Sequence, residues 1–451
     1  MSPSRLLKPH ARRLPLAALA LALAAAWPGL ASAQSLQQLL EAARGYDATY
    51  RAAQAAAQSA EFRAAQADAL GRPSAGLSAS AGTSVTDSSR TAGTTQGSQL
   101  RAELSGRYPL FNRGNQATMA QARKALDVAK ADLSTAEQDL IIRVAQAYFD
   151  VLTSENALGA VRASKAFITE QLASARRNFE VGTATITDTR EAQARFDLVV
   201  AQEIAAENDL RTKRIALDQL VGTSGVAPKP LRTPAELPGP VPADPEQWVS
   251  TADQGHPTIR RARLGLDVAT LETDKARAAE KPTVDAVASL SGTNGRGGLD
   301  ALSRSNGTST VASAGLQLNW PLFTGGATQN RIRETLALEE QSRNQLEAAR
   351  RGVALGTRQA FFGLQSVLAQ VKALEAAEAS SKLALESTQL GYRVGVRVNL
   401  DVLNAQSQLV TTQRDLAAAR YNVLLATLRL KQASGQLGTA DVEALTPLLA
   451  P

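Results

Sequence analysis

The chain has 451 residues, 44% of them hydrophobic but only 4% aromatic, with 49 Lys and Arg against 42 Asp and Glu and no cysteine. Without thiols there are no disulfides, no Cys-based metal site, no Cys nucleophile and no lipidated N-terminal Cys. So few aromatics cannot fill several conventional globular cores, whereas abundant Ala, Gln, Leu and charge suit long helices packed through small side chains.

Residues 1–33 read as a secretory signal peptide. Arg5, Lys8, Arg12 and Arg13 precede the apolar run LPLAALALALAAAW, and Ala31-Ser32-Ala33 is a small-x-small cleavage site. A membrane-spanning helix needs roughly 20 apolar residues, more than this run offers. Cleavage removes four cations and no acid, leaving 45 − 42 = +3, so the basic balance implies no nucleic-acid partner. His10 leaves too, and His256 is then the sole imidazole. With no carboxylate pair, metal spacing or nucleophile constellation standing out, the chain reads as a protein that is not an enzyme and needs no cofactor.

The remainder is written twice. A helical segment (34–70) leads, followed by strands at about 73–86 and 99–109, a very long helix (112–180), a tip at 181–186 and a returning helix (186–221). A connector at 223–245, with seven prolines from Pro228 to Pro245, separates this first repeat (34–222) from a second (246–440). There the order recurs: helix 246–280, strands at about 283–293 and 310–320, long helix 327–393, tip 394–399 and returning helix 399–434, before a tail at 441–451. YPLF at 108–111 answers WPLF at 320–323, an offset of 212, and FEVGTATITD at 179–188 answers YRVGVRVNLD at 392–401, an offset of 213. Matches in one order at near-constant spacing mark an internal duplication.

Along the first long helix, positions 140, 144, 147, 151, 154, 158, 161, 165, 168, 172, 175 and 179 are apolar at all but Ser154 and Lys165. That 3–4 alternation is a seam between packed helices. A helix of ~69 residues is on the order of 100 Å long. By length alone, helices 186–221 and 246–280 are expected end to end beside one long helix, with 34–70 and 399–434 as a second column.

The strands alternate apolar and polar residues, as in Val284, Ala286, Ala288 and Leu290 against Asp285, Val287, Ser289 and Ser291. Segments of about 10 such residues are the weak sign of a transmembrane β-barrel; a soluble half-buried sheet alternates identically. Tyr108, Phe111, Trp320 and Phe323 cluster at one end, suited to a membrane interface. Four strands cannot close a barrel, and an open edge is not tolerated in lipid, so several chains must share one.

RRNFEVGTATITDTREAQARF (176–196), GYRVGVRVNLDVLNAQSQL (391–409), ARYNVLLATLRLKQASG (419–435), YPLF/WPLF and FTGG (323–326) resemble the TolC-type outer-membrane efflux family over about residues 34–440. The resemblance implies an α+β membrane protein: a homotrimer with a twelve-stranded β-barrel in outer-membrane lipid and an α-helical barrel crossing the periplasm. It implies a passive exit duct for tripartite efflux or type I secretion, docking to a periplasmic adaptor and an inner-membrane pump (an RND or ABC transporter). It also puts Val181, Gly182, Thr183, Val394, Gly395 and Val396 at hairpin tips that dock the adaptor, Tyr392 and Arg397 at gate-linking positions, and Asp401 and Asn404 at the pore constriction. The acid expected on the first long helix aligns with Ala173. Asp188 and Asp401 equally suit the first turn of a helix, where an acid favours the macrodipole, and Asn399 is a good N-cap. The competing reading is a trimeric coiled-coil surface protein, or a periplasmic scaffold or adaptor, without a conducting pore.

Overall fold

The computed structural model describes residues 34–87, 94–232, 237–297 and 307–449; the signal-peptide segment lies outside them. Helix α1 spans Leu36–Tyr46 and α2 Ala48–Asp68, followed by strands β1 (Ser74–Asp87) and β2 (Thr94–Phe111). The long α3 (Arg113–Glu180) and returning α4 (Ile186–Val221) complete the first half. The second contains α5 (Pro245–Gly255), α6 (Pro257–Ala278), β3 (Thr283–Arg296), β4 (Gly307–Asn319), α7 (Ala327–Arg393) and α8 (Asn399–Ala433), with a short α9 (Thr439–Glu443). Among the described residues no helix is long and apolar enough to cross a membrane.

Both leading helices, expected as continuous rods at 34–70 and 246–280, are broken. Asp47 ends α1 and caps α2, accepting from the Tyr50 N–H at 2.7 Å, while Arg143 of α3 grips the same carboxylate through two bonds of 2.7 and 3.0 Å. Such bidentate, charge-assisted contacts are the strong ones. His256 is held in extended backbone by the following Pro257, which opens α6 without an N–H to waste.

The stacking differs from the length estimate. Gly222, at φ 74°, closes α4 against Tyr46: a Cβ there would lie 2.4 Å from the ring. Gly435, at φ 75°, closes α8 against His256, whose Cα would be 2.6 Å from such a Cβ. The returning helix of each half therefore abuts the leading helices of its own half. All four segments have similar lengths, so length could not choose between pairings; the terminating glycines do. Column α6/α8 lies between both long helices, tied by Lys124–Asp267 and Arg261–Asp132 to α3 and Arg331–Glu272 to α7, while column α2/α4 packs on α3.

The seam of α3 is buried at Leu140, Val144, Val151, Leu158, Ile168 and Leu172. Its two polar exceptions are used: Ser154 donates to Asp209 at 2.7 Å and Lys165 to Glu203 at 2.6 Å, both on α4. The main core sits midway along the rod, where α1, α3, α4 and α8 meet the connector and the tail. Gln34 bridges Pro228 and Leu231 bridges Leu449, so the start, middle and end of the described chain meet at one level.

His256 ties the α6/α8 joint. Its Nδ1 accepts from the Thr258 N–H at 3.1 Å, which requires that nitrogen to be unprotonated. Burial holds the imidazole pKa below its usual 6.5, against the opposing bond to the Gln432 backbone. The unfolded chain thus takes up its proton first as pH falls through about 6.5. The stability this ring contributes is present above that pH and lost as pH drops toward the folded value. His256→Asn, which caps without titrating, should flatten this part of the dependence of the urea midpoint between pH 7.5 and 5.5; an unchanged slope would refute it.

The four strands form one antiparallel sheet in chain order. Its register lines Leu77, Leu104, Leu290 and Ala312 in one row and Ala75, Gly106, Ala288 and Ala314 in the next. The opposite face carries the Arg101–Glu103 and Arg107–Asp285 pairs and a 2.8 Å bond between Ser289 and Ser313. One face is apolar and the other polar, although β2 reaches well beyond the expected 99–109.

Candidate functional site

The hairpin tips are built by local backbone rules. Gly182 (φ 79°) follows α3; its N–H donates to Phe179 O at 3.0 Å, and that of Thr183 to Asn178 O at 2.8 Å. Gly395 (φ 80°) follows α7 with the same pair of bonds, from Gly395 to Tyr392 O at 3.1 Å and from Val396 to Gly391 O at 2.9 Å. This left-handed termination suits glycine because any Cβ would be strained there. The chain then re-enters a helix differently in each tip. Thr185 and Asp188 cap α4 reciprocally, each side chain bonding the other's N–H, at 2.9 and 3.2 Å. Asp188 is thus a capping residue. In the second tip Val398 takes the N-cap position without a side-chain bond, and Asn399, expected as the cap, lies one residue inside α8. From there its amide cannot reach back to the orphan N–H groups. It is 3% exposed and finds no hydrogen-bond partner.

Arg397 and Asp401, given separate roles by the resemblance, form one ion pair at 3.7 Å, a turn apart on the same chain. The stem of Arg397 lies against Gly391, where a Cβ would sit 2.8 Å from Cγ, so glycine there makes room for the arginine. The Tyr392 hydroxyl accepts from Asn178 Nδ2 at 3.4 Å, linking α7 to α3. The Asn404 amide oxygen accepts from Arg195 Nη2 at 2.8 Å, linking α8 to α4. Ala173 is exposed and takes no part. Asn178, Arg195 and Gly391 were not singled out from sequence. The 213-residue offset held a signal for two of them: it sets Asn178 opposite Gly391 and Ala184 opposite Arg397, so the tips differ where these contacts are made.

Around the turns Val181, Val394 and Val396 are exposed, at 73%, 65% and 75%, with Ile186 and Val398 beside them. At the other end of the rod Tyr108, Phe111, Trp320 and Phe323 are all exposed where the strands pass into helices. A bulge between Pro109 and Phe111 sets Phe111 opposite Val284, on the apolar face with Tyr108. The Trp320 indole N–H donates to Glu280 O at 3.2 Å.

A membrane-type sheet running into helical hairpins on the order of 100 Å long defines an outer-membrane channel with a helical extension. The family model described as outer membrane efflux protein matches residues 30–223 and 248–436, and the chain belongs to that family. It is 32% identical over 353 residues to the outer membrane protein TolC of Vibrio cholerae, covering 76% of this chain and 78% of the relative. It is likewise 32% identical over 349 residues to the alkaline protease secretion protein AprF of Pseudomonas aeruginosa, covering 75% and 70%. In fold it superposes on the outer membrane protein VceC of Vibrio cholerae with a TM-score of 0.74 at 22% identity, covering 89% and 96%. The protein is an outer-membrane exit duct of the efflux and type I secretion kind, set in the Gram-negative outer membrane and reaching into the periplasm.

Proposed function

We propose that three copies close into one duct, with a twelve-stranded barrel above and a ring of helical columns below. The observation that carries this is that both layers of a single chain end in open edges at opposite sides. In the sheet, among the described residues, β1 and β4 each have only one partner, and unpaired edges are not viable in lipid. In the helical layer, α7 at one side leaves Leu338, Phe362 and Leu383 exposed, and α2 and α4 at the other leave Phe62, Ile204 and Ile215 exposed. Joining one flank to the other buries both rows, and repeating the step three times uses every edge. The two halves, 34–222 and 246–440, then each supply two strands and one hairpin.

In this assembly six tips surround the periplasmic mouth. Tyr392 and Arg397 gate it, Asp401 and Asn404 line its constriction, and Tyr108, Phe111, Trp320 and Phe323 mark the membrane interface. Exposed valines at the tips are apolar surface without a partner, the kind that marks a docking site, and they are assigned to a periplasmic adaptor coupled to an RND or ABC pump. The protein is a passive conduit, for small compounds or, as the name of the protease-secreting relative suggests, for polypeptide cargo. Unheated samples from outer-membrane fractions should run as heat-dissociable trimers, and the purified protein should give discrete single-channel steps in a planar bilayer. Inserted trimers that conduct under no condition would overturn the duct in favour of a scaffold.

A further inference from the structure

We propose that each chain holds the headgroup of an anionic phospholipid in a cationic cavity at the foot of the sheet; this rests on the reading of Tyr108, Phe111, Trp320 and Phe323 as the membrane interface. The cavity, about 640 Å³, opens between the start of α3 and the end of α6, and its volume is that of a ligand pocket. Its charged lining is Arg113, Arg277 and Lys281 against one acid, Asp274. Phe111 lines it too, which sets the cavity at the level where interfacial aromatics meet lipid headgroups.

Local rules explain only part of this charge. Arg277 lies in the last turn of α6 and Lys281 just beyond it, where cations complement the helix macrodipole. Arg277 is also paired with Asp274, three residues before it, at 3.5 Å. Arg113 has no such account. It is the first residue of the 68-residue α3, whose first turn holds no acid, so it stands at the helix end that favours anions. Among the described residues neither Arg113 nor Lys281 forms an ion pair. Two unpaired cations lining one cavity from either side call for a shared anion. A guanidinium and an ammonium together suit phosphate oxygens.

The duplication supplies an internal comparison. The 212-residue offset between YPLF and WPLF sets Gly325 opposite Arg113. A cavity at that second junction, where α6 ends and α7 starts, is lined by Glu280, Trp320, Phe323 and Gln329 among others and by no cation. The scaffold repeats and the charge does not, which gives one site per chain. A free phosphate would satisfy the cations equally, but the neighbouring surface argues for lipid. Phe111 stands opposite Val284, and Tyr108 opposite Ala286 in the next row of the apolar face. Acyl chains can therefore lie along the sheet while the phosphate sits in the cavity. This end of the sheet meets the periplasmic helices, so the leaflet concerned is the inner one.

Native mass spectrometry of the purified mature protein in detergent micelles tests this, with phosphatidylglycerol, phosphatidylcholine and inorganic phosphate as separate probes. Phosphatidylglycerol should saturate at one molecule per chain and bind at least about tenfold more tightly than phosphatidylcholine, as cations close to an anionic headgroup require. Arg113→Gln combined with Lys281→Gln should remove that preference. Arg343→Gln, on the exposed surface of α7 and outside the cavity, should keep it. Asp274→Asn should strengthen phosphatidylglycerol binding several-fold, a gain that misfolding cannot produce. Equal affinity for the two lipids, or a preference that survives the double variant, would overturn the site. Inorganic phosphate binding as tightly as phosphatidylglycerol would overturn the lipid assignment. A second measurement isolates the interface reading. Trp320 is exposed and Trp248 buried, so vesicles of brominated phosphatidylcholine should quench Trp320 fluorescence. Absence of quenching would overturn the interface placement and the site with it; quenching without headgroup preference would overturn the site alone.

Discussion

Replacing Tyr148 with alanine should remove about 3–5 kcal/mol of stability, the range for deleting a buried aromatic side chain. The ring is fully buried on α3 at the middle of the rod, edge-on to Phe149 at 5.6 Å, and Phe149 in turn stacks on Tyr421 of α8 at 5.9 Å. Its hydroxyl accepts from the Lys229 N–H at 2.8 Å and lies 3.1 and 3.4 Å from the carbonyl oxygens of Lys229 and Gln34, to one of which it donates. Tyr148→Phe separates the two contributions: it keeps the ring and leaves backbone groups of the connector unpaired, at about 1–3 kcal/mol. Phe361, the counterpart in the second half, is buried without any hydroxyl, so the Tyr148 hydroxyl serves the connector while the ring serves helix packing. Urea midpoints in detergent decide this; an alanine variant within about 1 kcal/mol of the parent would show that the ring is not central.

Arg397→Ser should raise single-channel conductance several-fold with little change in folding. Within one chain the side chain makes an exposed, one-turn ion pair with Asp401 at 3.7 Å, and such pairs contribute about 0–1 kcal/mol. In the proposed trimer the larger effect lies at the threefold axis, where the proposed gate links would be cut and three Asp401 carboxylates would lose their arginines. At ~7 Å each pair of carboxylates repels by about 0.6 kcal/mol even in bulk water, so the ring should spread and favour cations. Asp401→Ala should then abolish block by multivalent cations. Unchanged conductance in Arg397→Ser, with block persisting in Asp401→Ala, would move the gate away from this tip.

Much of the architecture was legible because it is periodic or repeated. The seam of α3, the alternation in four strands and the offset near 213 residues all survive in composition-poor sequence, since each is fixed by helix or strand geometry. What was illegible depends on single contacts. Asp47 reads as one more polar residue in a helix until Arg143 is seen to hold it. The pairing of columns turned on Tyr46 against Gly222 and His256 against Gly435, which equal helix lengths conceal. At the candidate site Gly182 and Gly395 could be read from their place after long helices, while Asn399 was misplaced by one residue because its side chain went inward. Arg195 was illegible because its partner Asn404 lies 209 residues away in the chain.

The meeting of Gln34, Pro228, Leu231 and Leu449 at one level makes the middle of the rod a fulcrum. Segments from three distant parts of the chain are pinned there by two isolated bridges, whereas the described residues toward the tips are two-helix hairpins. From Tyr148 to Gly182 the lever is 34 residues, about 50 Å, so a tilt of about 5° at the fulcrum sweeps the tip by about 4 Å. That exceeds the 2.8 Å length of the Arg195–Asn404 bond. Opening the proposed mouth would therefore ask for almost no deformation at the main core, and a push delivered at the tips would work with the longest mechanical advantage the chain provides.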